Sequence, residues 1–208
     1  MKKKLINYLC LSGVISIIFY LLHDIIGGMN YPGYKWMSQA VSDLTATDSP
    51  SFVIANGYST VYGILSCLAV ALVSILAKNE SKKSLRIGIY LFSVMTFISG
   101  IGYSLFPLSS AGYDGSIQSF IHVYVLTILV VLLSIISLIL IGVGSLKSNH
   151  KLLGILSFIS LLLMFVGAVL APNVPKDIFG IIERFSTYSA VLFTGVLSIY
   201  GFRKNEWY

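Results

Sequence analysis

The chain has 208 residues, of which 56% are hydrophobic and only 11% charged, and it carries a formal net charge of +6. Soluble domains carry about 25% charged residues, so this composition excludes an ordinary soluble fold and makes the lipid bilayer the natural solvent. The positive charge has no zinc-finger spacing, recognition-helix pattern or basic–aromatic stripe beside it. It therefore argues against nucleic acid as a partner and reads instead as membrane topology.

Six apolar segments follow one another, at about 5–26, 52–77, 87–108, 120–146, 152–171 and 178–202. Each is long enough for a span of about 20 residues. The first follows MKKK, but it is too long for a typical signal-peptide core and no small-x-small cleavage site follows it, so it reads as an uncleaved first span. Glycines such as Gly13, Gly63, Gly100 and Gly167 would mark loops in a soluble chain; inside membrane helices they serve close packing. Cys10 and Cys67 both lie within apolar runs and read as small buried residues, with no disulfide framework.

Between the first and second segments stands HDIIGGMNYPGYKWMSQAVSDLTATDSP, His23 to Pro50. Tyr31-Pro32-Gly33-Tyr34 is a turn signal. Trp36, Met37, Ala40, Val41 and Leu44 then recur on one helical face, with Ser38, Gln39, Ser42 and Asp43 on the other. Asp48-Ser49-Pro50 fits the start of the second span, with Asp48 or Ser49 as cap and Pro50 in the first turn. The pattern predicts a short helix over about 35–45 lying in the membrane interface.

The connections alternate in charge. MKKK, KNESKKSLR, LKSNHK and RKNEWY share one side and hold eleven of the fourteen basic residues. The opposite side keeps Lys35, Lys176 and Arg184 but gathers six of the eight acids: Asp24, Asp43, Asp48, Asp114, Asp177 and Glu183. The positive-inside bias predicts a multi-pass protein of the cell membrane with both termini cytoplasmic. Acids barely influence orientation, so their outward bias hints at function there. The expected fold is all-α: one six-helix transmembrane domain over 1–208, built as three hairpins with Pro in each outer connection, plus the interfacial helix.

At 1.5 Å per helical residue, His23 lies about 27 Å from Leu5, and Tyr103 about 26 Å from Arg86. Asn56, His122 and Arg184 reach the same outer layer by the same count. His23, Asp43 and His122 are the candidate catalytic residues, an imidazole as general base with a carboxylate to orient it. Asp24, Ser38, Ser42, Asn56, Tyr103, Glu183 and Arg184 are the candidate binding residues, with Arg184 available to a phosphate or carboxylate. The same groups would serve equally as a hydrogen-bonded network tying helix ends together. No P-loop, dinucleotide fingerprint, haem-ligand pair or HExxH spacing occurs, so neither a cofactor nor a metal is expected. The midplane positions Ser16, Ser66, Cys67, Ser93, Thr96, Ser134, Ser137, Ser160 and Thr194 are uncharged, which argues against an ion-coupled transporter.

The run YPGYKWMSQAVSDLTA followed by Ser49-Pro50, the LFPL that ends the third span, His122 at the head of the fourth and GIIER at the start of the sixth together resemble the bacterial and archaeal membrane family called domain of unknown function 998. The matching positions are Ser38, Ser42, Asp43, Pro50, Pro107, His122, Glu183 and Arg184. A looser similarity reaches the Frag-type membrane proteins, which include lipid-remodelling factors, and it implies work on lipid. The resemblance transfers no catalytic role. The resulting expectation is an integral membrane protein whose polar outer site binds a lipid or lipid-linked headgroup, with membrane lipids as partners. The alternatives are an outer-leaflet lipid-modifying enzyme using His122 or His23, a lipid or small-molecule transporter, and a non-enzymatic accessory protein. Substrate and oligomeric state are not legible.

Overall fold

The computed structural model describes residues 4–204; Lys2, Lys3 and Glu206, assigned above to the basic side, lie outside the described residues. Among the described residues six helices are long and apolar enough to cross a membrane: α1 (Leu5–Met29), α2 (Phe52–Ala77), α3 (Lys83–Leu105), α4 (Ile117–Leu146), α5 (Lys151–Asn173) and α6 (Lys176–Arg203). No strand occurs among the described residues.

Local chemistry sets the ends. α3 stops at Leu105, three residues short of the expected boundary, because Phe106 leaves the helical region (φ −125°, ψ 64°) ahead of Pro107, where the proline ring disfavours it. Ser116 caps α4 by accepting the Ser119 amide at 3.1 Å, which satisfies one of the free N–H groups of the first turn. α1 is broken by one turn residue, Leu11, and α4 winds as a π-helix over Ile121–Leu126.

Consecutive helices are neighbours and α6 returns to pack on α1 and α2, so the bundle closes on itself. Phe92 of α3 and Phe193 of α6 meet edge-to-face at 5.2 Å in its centre, both wholly buried. Long apolar side chains such as Val53, Ile117 and Leu162 point outward, 82%, 81% and 63% exposed, as lipid contact demands. Inside, small polar residues lie among the apolar core side chains and bond across helices. Ser12 donates to the Leu65 carbonyl (3.2 Å), Ser84 to Leu140 (2.8 Å) and Ser189 to Ser160 (2.6 Å). Each is a bond between two helices, of the kind that joins membrane helices where hydrophobic burial offers little. Cys10 and Cys67 are free thiols.

The connection from α1 to α2, residues 30–51, folds over one end of the bundle and is called the lid. The predicted helix over 35–45 does not form as one element. Turns precede a 3-10 helix, Val41–Thr45. The predicted apolar face divides with it: Val41 and Leu44 are buried, whereas Trp36 and Met37 are 44% and 54% exposed. The cause is competition for carbonyls, because those of Trp36 and Gln39, which an α-helix would bond internally, accept hydrogen bonds from Arg184 instead.

Candidate functional site at the lid end

Arg184 organises the lid end. It stands in the second turn of the α-helical part of α6, Phe179–Arg203, and is 3% exposed. Its Nε donates to Asp24 Oδ2 at 2.9 Å and one terminal nitrogen to Oδ1 at 2.7 Å, the bidentate fork that a guanidinium makes with a carboxylate. The same nitrogen donates to the Tyr34 hydroxyl at 2.8 Å. The other terminal nitrogen faces three carbonyls, Trp36 (2.9 Å), Gln39 (3.0 Å) and Gly180 (2.8 Å). All five guanidinium N–H donors therefore have acceptors inside the protein, and the Trp36 ring lies 4.4 Å from the guanidinium carbon. Asp24 is equally engaged, since Oδ2 also accepts from Trp36 Nε1 at 3.1 Å and from the Tyr188 hydroxyl.

Gly180 explains how the lid comes so close. A Cβ built there would lie 2.4 Å from the Gln39 oxygen and 2.6 Å from the Trp36 oxygen, so only glycine lets the lid backbone rest on the helix. One residue on, the Ile181 amide donates to the Met37 carbonyl at 3.2 Å. GIIER thus reads as a seat: Gly180 makes room, the free amide of the first helical turn takes a carbonyl, and Arg184 takes two more. Gly33, at φ +80°, follows Pro32 in the turn that brings Tyr34 over the pair. The Tyr34 hydroxyl passes its own hydrogen to the Ala40 carbonyl at 2.9 Å, and burial lifts the phenol well above its ordinary range despite the nearby Arg184 charge.

The other predicted residues hold neighbouring parts of the same closure. Asp43 accepts from the Ala40 amide (3.2 Å) and from the Gly112 amide (2.9 Å), which joins the lid to the α3–α4 connection. Burial raises its carboxyl above the usual carboxylate range, although these amides and Arg184 pull the other way. Thr47 reinforces the junction, donating from amide and hydroxyl to the carbonyls of Leu108 (2.8 Å) and Ser109 (2.9 Å). His23, 3% exposed, holds the Ala55 carbonyl at 3.0 Å through Nδ1. His122 sits in the π-helical turn, holds the Phe106 carbonyl at 2.7 Å through Nδ1 and stacks 4.6 Å from the Tyr103 ring. Because a carbonyl only accepts, each Nδ1 carries a hydrogen. No carboxylate is hydrogen-bonded to either imidazole among the described residues, so neither has the orienting partner that a general base uses. Tyr103 pairs with Thr127 at 3.0 Å. Ser38 turns back to the Lys35 carbonyl at 3.4 Å, and Ser42 and Asn56 are half-buried.

Glu183 differs from all of these. Its Oε2 is buried and has no hydrogen-bond partner among the described residues. The Val41 backbone amide of the lid hydrogen-bonds the carboxyl group, and Tyr20 and Tyr103 lie within electrostatic reach of it. Tyr20 in turn contacts Tyr62 (4.9 Å), Tyr188 (5.7 Å) and His23 (5.7 Å) ring to ring. A carboxyl oxygen thus lies unbonded within an aromatic, hydroxyl-rich layer below the lid. No group of three or more His, Cys, Asp or Glu is placed to hold a metal ion among the described residues.

Sequence reasoning missed a second cluster, at the opposite, basic end. Glu80, in the α2–α3 connection, accepts from the Tyr200 hydroxyl and from Lys204 Nζ, with His150 Nε2 at 3.9 Å. Burial pushes this carboxyl up, but Lys204 and Tyr200 outweigh it and hold it below the usual carboxylate range. The available signal was a lone acid among Lys78, Lys82, Lys83 and Arg86.

The fold and the site define a multi-pass, six-helix membrane protein with a lid latched by a buried ion pair. The family described as "Protein of unknown function (DUF998)" matches residues 14–200, and the chain belongs to it. No curated protein and no solved structure matches significantly, so the looser likeness to Frag-type proteins has no counterpart in these comparisons.

Proposed function

We propose that this protein binds a lipid or lipid-linked headgroup at its lid end, which faces outward from the cell membrane, and that it acts by binding rather than by acid–base catalysis. The orientation follows from the eleven basic residues assigned to the opposite side. The observation that carries the reading is the unpartnered, buried Oε2 of Glu183. Buried polar atoms are nearly always paired, and an ionisable residue inside a membrane segment is by default a functional one. Arg184 has no donor left for a phosphate, because Asp24, Tyr34 and three carbonyls occupy it. The vacant capacity is that of an acceptor, so the favoured headgroup is a donor: an ammonium or a sugar hydroxyl. The surrounding tyrosines suit such a group, as aromatic faces attract cations.

The test is native mass spectrometry of the purified chain with phosphatidylethanolamine, a glycolipid and phosphatidylglycerol, comparing wild type with Glu183→Gln and Glu183→Ala. The expected result is retention of a donor headgroup by wild type and about tenfold weaker retention by both variants, the size of one lost hydrogen bond to a charged group. Equal retention of every lipid by all three proteins contradicts the proposal.

A further inference from the structure

The basic end holds a half-open cavity of about 810 Å³. It lies between the α2–α3 connection, the α4–α5 connection and the last turns of α6, and nothing in the lid-end reading uses it. Its size falls within the range of small-molecule sites, about 300–1,000 Å³. Its walls are of two kinds. The floor is aliphatic, with Leu76, Leu153, Leu156 and Ile199 among its residues, and the rim carries Lys151, Arg203 and Lys204 around Glu80.

Among the described residues, the charges at the rim do not cancel. Glu80 is matched by Lys204, whose Nζ donates to it, and by the Tyr200 hydroxyl. Lys151 and Arg203 have no ion-pair or hydrogen-bond partner through their side chains among the described residues, and both are exposed. Among the described residues the single carboxylate of the rim is thus already neutralised, and two cations line the opening above an aliphatic floor. The vacancy is the converse of the one at the lid end: donors without acceptors, where Glu183 Oε2 is an acceptor without a donor.

We infer that this cavity is a binding site for an anionic amphiphile, a phosphate-bearing lipid of the leaflet at the basic end, with its headgroup between Lys151 and Arg203 and the start of its acyl chain on the Leu153–Leu156 floor. Three observations meet here: two cations with no partner among the described residues, an apolar floor continuous with the membrane-spanning part of α5 and α6, and a depth at the ends of the spans, where headgroups lie. A free phosphate ester would satisfy the cations but leave the floor unfilled. Neutral lipid would satisfy only the floor. Lys and Arg near helix ends also reach bulk headgroups by snorkelling, and basic residues anywhere at that surface attract anionic lipid by about 1 kcal/mol each, so the test must separate a cavity from a surface.

The experiment uses the full chain in nanodiscs of phosphatidylcholine, into which phosphatidylglycerol is titrated while thermal stability and lipid retention by native mass spectrometry are read. Wild type is expected to gain stability saturably with phosphatidylglycerol and to retain about one molecule. The exposed pair Lys151→Gln with Arg203→Gln should weaken retention at least tenfold. Leu156→Trp, which fills the floor and leaves every charge in place, should weaken it as well. Lys82→Gln with Lys83→Gln, at the same end but outside the cavity, should leave it unchanged. Equal losses from the Lys82/Lys83 pair and the Lys151/Arg203 pair, or no loss from Leu156→Trp, would mean a surface patch only and overturn the site. Displacement of the lipid by soluble glycerol phosphate at equal concentration would overturn the choice of an amphiphile.

Discussion

At the lid end, the side chains of Arg184 and Asp24 are 3% and 0% exposed, and Arg184 has no unused donor; at the basic end, Lys204 and Glu80 are 13% and 10% exposed beside a His150 that is 42% exposed, and they line an open cavity. Both ends pair a carboxylate from one part of the chain with a cation on α6 or one residue beyond its end. They differ in what surrounds the pair. The lid wraps the first pair with backbone carbonyls and a tryptophan ring, whereas the second stands at a rim. Removing one partner of a buried pair strands the other, while a rim pair can fall back on water. The first arrangement suits holding a segment in place, and the second leaves space for a ligand.

The largest effect expected from breaking this contrast is at Asp24→Ala or Arg184→Ala. Each leaves an uncompensated charge under the lid and should lower stability by about 3–5 kcal/mol, read as a fall in the thermal midpoint in detergent. The double variant should lose less than the sum of the two. Gly180→Leu comes next. It leaves both charges in place but drives a side chain into the Trp36 and Gln39 carbonyls, for a loss of about 1–3 kcal/mol and faster amide exchange in 34–47. Tyr34→Phe removes one acceptor for Arg184 and one donor to Ala40, a loss of about 1 kcal/mol, and should leave the basic end untouched.

The smallest effect is in pH, and it runs in opposite directions at the two ends. Glu80 has a depressed carboxyl in the folded protein, so its contribution is present above its unfolded value of about 4.3 and is lost as pH falls through the folded value. Asp43 has a raised one, so its contribution is complete below the unfolded value of about 3.9 and is lost as pH rises through the folded value. Glu80→Gln should flatten the acid response of the amides around Lys204, and Asp43→Asn that of the Gly112 amide, each within about 1 kcal/mol. Site-resolved hydrogen exchange between pH 3 and pH 7 checks both.

The spans were legible because hydropathy alone decides them; α2 begins at Phe52 and ends at Ala77, where the sequence reading puts it. The lid was legible as a special segment from Tyr31-Pro32-Gly33-Tyr34 and from its outward acids. Its conformation was not, because the helix that the Trp36–Leu44 periodicity predicts loses its carbonyls to a residue about 145 positions away. That Arg184 meets Asp24 rather than a ligand depends on the packing of α6 against α1, which no local pattern encodes. Glu183 and Arg184 are adjacent and look alike as candidates in sequence; only the burial of one unbonded oxygen and the saturation of the neighbouring guanidinium separate them. Glu80 escaped notice because its partners, His150, Tyr200 and Lys204, lie on connections and a helix end distant in the chain.

The central claim is that the Arg184–Asp24 pair holds the lid on the bundle. It is tested most directly by hydrogen–deuterium exchange of residues 34–47 in the full chain in nanodiscs, wild type against Asp24→Asn. The latch predicts that the Asp43 and Thr47 amides, protected in wild type by their bonds to Ala40 and Leu108, exchange at least tenfold faster in the variant while the α3–α4 core keeps its protection. Unchanged protection across 34–47 would contradict it.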